Sequence, residues 1–104
     1  MNNADMIHYI ESKMNQEFNE SCKVIEKKYE NQPNNNFYIS FSFERNTMTI
    51  IKDRSMVEVE FLYLGEYKML HEYNSSFLNL VLNQENIDKI IQEVSKNRSI
   101  YFNL

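Results

Sequence analysis

Residues 37–73 read FYISFSFERNTMTIIKDRSMVEVEFLYLGEYKMLHEY, and this stretch decides the fold. In its first run Phe37, Ile39, Phe41 and Phe43 alternate with Tyr38, Ser40, Ser42 and Glu44. A period of two is the pattern of a strand with one buried and one wet face. A second run spans Thr47 to Lys52, where Met48 and Ile50 oppose Thr47 and Thr49. A third sets Val57, Val59, Phe61 and Tyr63 against Glu58 and Glu60, and becomes apolar on both faces from Phe61 to Leu64. A fourth runs from Tyr67 to Tyr73 and places His71 on the face of Tyr67, Met69 and Tyr73. Between the runs lie Arg45-Asn46, Asp53-Arg54-Ser55 and Gly65-Glu66. Such links are too short for a crossover helix, so the strands must pair antiparallel.

The flanks read as cover for this meander. Met6, Ile7, Ile10, Met14, Phe18, Cys22, Ile25 and Tyr29 recur in steps of three and four, which predicts one amphipathic helix over 4–30. Asn2 or Asn3 supplies its N-cap, with Asp5 and Glu11 toward the positive end of the dipole and Lys27 and Lys28 toward the negative end. Pro33, within an Asn-rich run at 31–36, ends it. Residues 77–82 (FLNLVL) are read as a fifth strand, although a short apolar run also suits the lead-in to a helix. Asn83 caps a second helix with Ile87, Ile90, Ile91 and Val94 as its stripe and Asn97 as its stop. The tail, Ile100 to Leu104, is too apolar to hang free: it docks on its own domain or forms an interface. The expected architecture is a single α+β domain over 1–104, in which a long N-terminal helix packs on a four- to five-stranded antiparallel meander closed by a C-terminal helix. Its element order is similar to that of cystatin-like and NTF2-like folds.

Composition narrows the function. The net charge of -4 disfavours a nucleic-acid binder, which needs a basic stripe for phosphates. A single cysteine, Cys22, allows no internal disulfide and suits a reducing compartment. The N-terminus lacks the basic and apolar regions of a secretory signal, and no run approaches the roughly 18 apolar residues of a membrane span. A cytoplasmic protein without membrane or direct nucleic-acid contact is expected. Asn, Ile, Lys, Tyr and Phe make up 47 of 104 residues, whereas Gly, Pro and Ala occur once each. That bias is the mark of an AT-rich genome or mobile element, bacterial or viral.

Catalytic sets do not assemble. One glycine excludes both the dinucleotide and the P-loop fingerprints. Cys22 lies on the expected helix stripe, where a structural cysteine is the simpler reading. His8 and His71 share no metal-ligand spacing with each other or with Cys22. Glu58 and Glu60 stand about 6.5–7 Å apart on one strand face, the spacing of two solvated carboxylates with no nameable catalytic partner. No cofactor, metal site or enzymatic activity is expected.

One positive feature remains. Residues 53–72 hold Asp53, Glu58, Glu60, Glu66 and Glu72 against Arg54 and Lys68, a net charge of -3. An acidic, tyrosine-bearing sheet face attracts and docks a basic protein surface, although a plain solvated face has the same composition. The candidate partner-binding residues are Glu58, Glu60, Glu66, Tyr67 and Glu72. In size, charge and composition the chain resembles toxin-immunity proteins, small acidic α/β domains that neutralise basic nuclease toxins. That resemblance implies a basic toxin or nuclease as partner. Two other readings share the features: an anti-CRISPR-like, mobile-element inhibitor of a host defence nuclease, and a homodimeric structural or secretion-chaperone domain joined through the 100–104 tail.

Overall fold

Short turns leave each apolar-alternating run no course but to fold back on the run before it. The computed structural model, which describes residues 1–32 and 34–102, shows the resulting α+β fold. Its elements are α1 (Asn3–Phe18), β1 (Lys23–Lys28), β2 (Phe37–Phe43), β3 (Asn46–Asp53), β4 (Met56–Tyr63), β5 (Glu66–Met69), α2 (Leu70–Tyr73), β6 (Leu80–Val81), α3 (Gln84–Lys96) and α4 (Arg98–Phe102). The strands form one antiparallel sheet in the order β1-β2-β3-β4-β5, and β6 pairs with the start of β4. The core lies between one sheet face and the apolar stripes of α1 and α3: Met6, Ile7, Ile10, Met14 and Phe18 from the first, and Ile87, Ile90, Ile91 and Val94 from the second.

The hairpin turns sit one residue from some of their expected places. Phe43 pairs with Asn46, Asp53 with Met56 and Tyr63 with Glu66, so the turns are Glu44-Arg45, Arg54-Ser55 and Leu64-Gly65. The first residue of each is left-handed, at φ 56, 62 and 51 respectively. Leu64 and Gly65 are both left-handed, as a two-residue hairpin turn matched to the strand twist requires. Asn46 is drawn into β3 because its side chain is needed below the sheet, where Nδ2 donates to the Phe102 carbonyl at 2.8 Å.

The expected helix over 4–30 ends at Phe18. A 27-residue helix would be about 40 Å long, against about 24 Å for 16 residues. The molecule measures 37 Å along its longest axis, so the longer helix would overrun the core it serves. Asn19 turns left-handed at φ 54, a 3-10 turn follows at Asn19–Ser21, and β1 then pairs with β2. Cys22, Ile25 and Tyr29 therefore do not belong to the helix stripe, and Lys27 and Lys28 do not face its dipole. A β-bulge between Val24 and Glu26 leaves Ile25 facing out, and this mimics helical spacing in the sequence.

Asn2, rather than Asn3, is the N-cap of α1: its Oδ1 accepts from the Asp5 amide at 2.8 Å. Asn3 is buried and does different work. Its Nδ2 donates to the carbonyls of Glu30, Gln32 and Asn35 at 2.8, 3.2 and 2.9 Å, and its Oδ1 accepts from buried Lys52 at 2.8 Å. One amide thus pins the β1–β2 connection and β3 to the helix start.

The fourth strand also stops early. β5 ends at Met69, and residues 70–73 make the helical turn α2, because the Glu72 carboxylate accepts from the Met69 amide at 2.6 Å. Tyr73 turns inward to pack edge-on against Phe61 and Tyr101, so His71 does not share a strand face with Tyr67, Met69 and Tyr73. Of the expected fifth strand, only Leu80–Val81 is extended and paired, after a 3-10 turn at Ser75–Phe77. α3 matches its expected limits, capped by Asn83 and ending at Asn97. In the tail, Tyr101 and Phe102 are 2% exposed and sit in the protein's own core, while Ile100 faces solvent. Phe102 stacks on Phe43 at 4.2 Å and meets Phe18 and Phe61 edge-on at 6.4 and 5.8 Å. Asn103 and Leu104 lie outside the described residues.

Candidate functional site

The long helices cover one face of the sheet only. Every buried side chain of β2, β3 and β4 except Ser40 points to the helix side. Cross-strand pairing arranges the opposite face in three rows, with the Asp53–Met56 pair beyond the first of them at the hairpin end. The first is Lys28, Tyr38, Ile51 and Glu58; the second is Glu26, Ser40, Thr49, Glu60 and Met69; the third is Lys23, Ser42, Thr47, Leu62 and Tyr67. Ser40 and Thr49 hydrogen-bond each other through their hydroxyls at 2.7 Å at the centre of the face.

Of the candidate residues, the structure brings three together here. Glu58 and Glu60 stand two residues apart on β4, and Tyr67, 66% exposed, lies on β5 opposite Leu62. Glu66 pairs with Tyr63 and so points to the other side of the sheet at the hairpin end. Glu72 is held in the cap of α2 by the Met69 amide. Neither adds to the acidic strip of Glu58 and Glu60.

Charge on this face is divided. β1 contributes Lys23 and Lys28, and β4 contributes the two glutamates, three strands or about 14 Å away. Glu26 sits between the lysines and accepts from the Tyr38 hydroxyl, a bond that raises the Tyr38 pKa above the usual phenol value. Lys27 points to the helix side, where it pairs with Glu11 at 2.6 Å. At the first-row end, a cleft of about 580 Å³ is lined by residues that include Lys28, Tyr29, Tyr38, Ile51, Asp53 and Glu58.

Sequence reasoning missed the β1 half of this face, because 23–28 was read as helix. The signal that could have found it is the adjacent β-branched pair Val24-Ile25 beyond Asn19, a poor helix segment and a good strand.

Elsewhere in the fold lie the cysteine and the two histidines. Cys22 is half-buried beyond the 3-10 turn; burial pushes its thiol pKa up, and the Arg98 charge only partly opposes this. His8 borders the same hollow as Cys22 and Glu11. His71 lines a small hollow beside Glu58, Phe77 and Leu78. Among the described residues no group of three or more His, Cys, Asp or Glu gathers as metal ligands, and no helix is long and apolar enough to cross a membrane. What the open face offers chemically is contact area, aromatic and aliphatic anchors, and two opposed charge strips.

No family model matches the chain, and neither a curated protein nor a solved structure is similar to it at a significant level.

Proposed function

We propose that the protein is a cytoplasmic inhibitor that acts by binding: an immunity protein or antitoxin that covers the active surface of a basic, nuclease-type toxin with its open sheet face. One observation carries this reading. Glu58, Glu60, Leu62 and Tyr67 form a continuous acidic and aromatic corner on a face that the helices leave uncovered. Carboxylates on such a rim raise the encounter rate with a basic surface, whereas aromatic and aliphatic side chains supply the contact energy that holds it. The chain's acidity acts in the same direction over longer range.

The test begins with affinity capture from the native host at low and high salt, followed by measured association rates with the retained protein. The reading expects one basic protein in near-stoichiometric amount. It also expects the Glu58→Lys, Glu60→Lys double variant to associate about tenfold or more slowly at low salt, with the wild-type rate falling as salt rises. Recovery of no basic protein, or an association rate unchanged by the double reversal, refutes it.

A further inference from the structure

We infer that Asn3 and Lys52 are a reactive pair, whose side chains join in an intramolecular amide bond that staples α1 to β3. The two are buried and in contact. Asn3 is 4% and Lys52 8% exposed, and the Lys52 Nζ donates to the Asn3 Oδ1 at 2.8 Å. A lysine amine is a nucleophile once it has lost its proton, and a carboxamide carbon is an electrophile it can attack. That carbon, Cγ, lies one bond beyond Oδ1. Turning the terminal bonds of the lysine, with no movement of the chain, therefore brings Nζ to the near-attack distance of about 3–3.5 Å. Both residues are held from the backbone as well: Asn3 opens α1 next to the Asn2 cap, and Lys52 pairs with Phe37 and Val57 within the sheet.

The surroundings of Asn3 suit the leaving group better than the amide. Its Nδ2 donates to the carbonyls of Glu30, Gln32 and Asn35 at 2.8, 3.2 and 2.9 Å. A carboxamide nitrogen carries two hydrogens, one fewer than the acceptors gathered around it. Ammonia carries three and satisfies them all. The step balances without any outside reagent. Lys52 Nζ loses two protons, one before its lone pair attacks Cγ and one as the tetrahedral adduct collapses. The Cγ–Nδ2 bond breaks with its electron pair on nitrogen, which takes up both protons. A primary ammonium and a carboxamide thus become a secondary amide and an ammonium ion. Burial keeps water, the competing nucleophile, away from Cγ.

The bond would do for this chain what a disulfide does elsewhere. A single cysteine allows no internal disulfide. A link between residues 3 and 52 closes a long loop, restricts the unfolded chain and fixes the helix start to the sheet. No partner takes part, so the inference stands apart from the inhibitor reading.

The experiment is intact mass spectrometry of the purified full chain, fresh and after prolonged incubation at neutral and alkaline pH, followed by tryptic mapping. Expected is a species lighter than the sequence by one ammonia, which accumulates faster at alkaline pH, where more of the amine is unprotonated. Its digest should contain a branched peptide joining residues 1–13 to residues 46–54, because trypsin no longer cleaves after the modified Lys52. Lys52→Arg keeps a cation and a donor at the site without the amine nucleophile, and should hold its full mass under the same conditions. Incubation should raise the thermal unfolding midpoint of the wild type and leave that of Lys52→Arg unchanged. A wild type that keeps its full mass throughout overturns the inference. So does a loss of ammonia without the branched peptide, as when an asparagine cyclises on its own backbone, or an equal loss in Lys52→Arg.

Discussion

Replacing Phe102 by alanine distinguishes a tail spent in the core from a tail kept for a partner. Phe102 is 2% exposed, stacks on Phe43 at 4.2 Å and abuts Phe18 and Phe61 edge-on. Truncating a buried phenylalanine removes its transfer free energy and opens a cavity, together about 3–5 kcal/mol. A domain of this length has roughly 5–15 kcal/mol in total, so the loss is a large fraction of the whole. The midpoint of thermal unfolding should fall by well over 10 °C, taking about 4–8 °C per kcal/mol for a domain near 100 residues. Equilibrium urea unfolding, followed by tryptophan-free tyrosine fluorescence and circular dichroism, reads the change, with sedimentation at the same concentration as control. A loss below about 1 kcal/mol, or one that appears only together with a change of oligomeric state, refutes the packing argument.

Other outcomes follow from polar groups. Asn3→Ala removes three donated hydrogen bonds to the Glu30, Gln32 and Asn35 carbonyls and one acceptor for Lys52, and should cost about 1–3 kcal/mol. Amide exchange at Asn35 should accelerate in that variant beyond the global loss; an unchanged rate would show that the connection is held by other groups. At alkaline pH, the Asp88 carboxylate that accepts from the Tyr9 hydroxyl at 2.7 Å pushes the phenol pKa up to about 12, and burial with a bond to Glu93 raises that of Tyr101 as well. Each phenol holds its proton more tightly folded than unfolded, so this stabilisation is complete below about pH 10 and is lost as pH rises through the folded values. Thermal unfolding between neutral and strongly alkaline pH should show that decline, and the Tyr9→Phe, Tyr101→Phe variant should flatten it.

Much of the sheet was legible because alternation is a strong signal: the inward set Phe37, Ile39, Phe41, Phe43, Met48, Ile50, Val57, Val59 and Phe61 is the sheet's contribution to the core. α3 was equally legible, since Asn83 and Asn97 bracket one clean stripe. Two kinds of information were not local. The end of α1 is fixed by the extent of the core and by the open edge of β2, which recruits 23–28 as a strand whatever its helical spacing. The α2 turn rests on one carboxylate reaching back three residues to an amide, a contact that alternating Tyr67, Met69 and Tyr73 conceals. The candidate site was half visible for the same reason. β4 showed its glutamates directly, but the lysines that oppose them belong to the strand that was read as helix.

The backbone makes its turns almost without glycine. Among the described residues, five that are not glycine, Asn19, Glu44, Arg54, Leu64 and Asn79, hold left-handed conformations, in a chain with a single glycine. Glycine is the residue that such turns use most readily. Left-handed geometry strains an ordinary side chain by about 1–2 kcal/mol. Glycine would relieve it but adds back about 0.5–1 kcal/mol of unfolded-chain freedom. Asparagine tolerates the conformation without that addition. Glu44, Arg54 and Leu64 are therefore positions where asparagine would strengthen the domain, which leaves a reserve of stability that the chain has not drawn on.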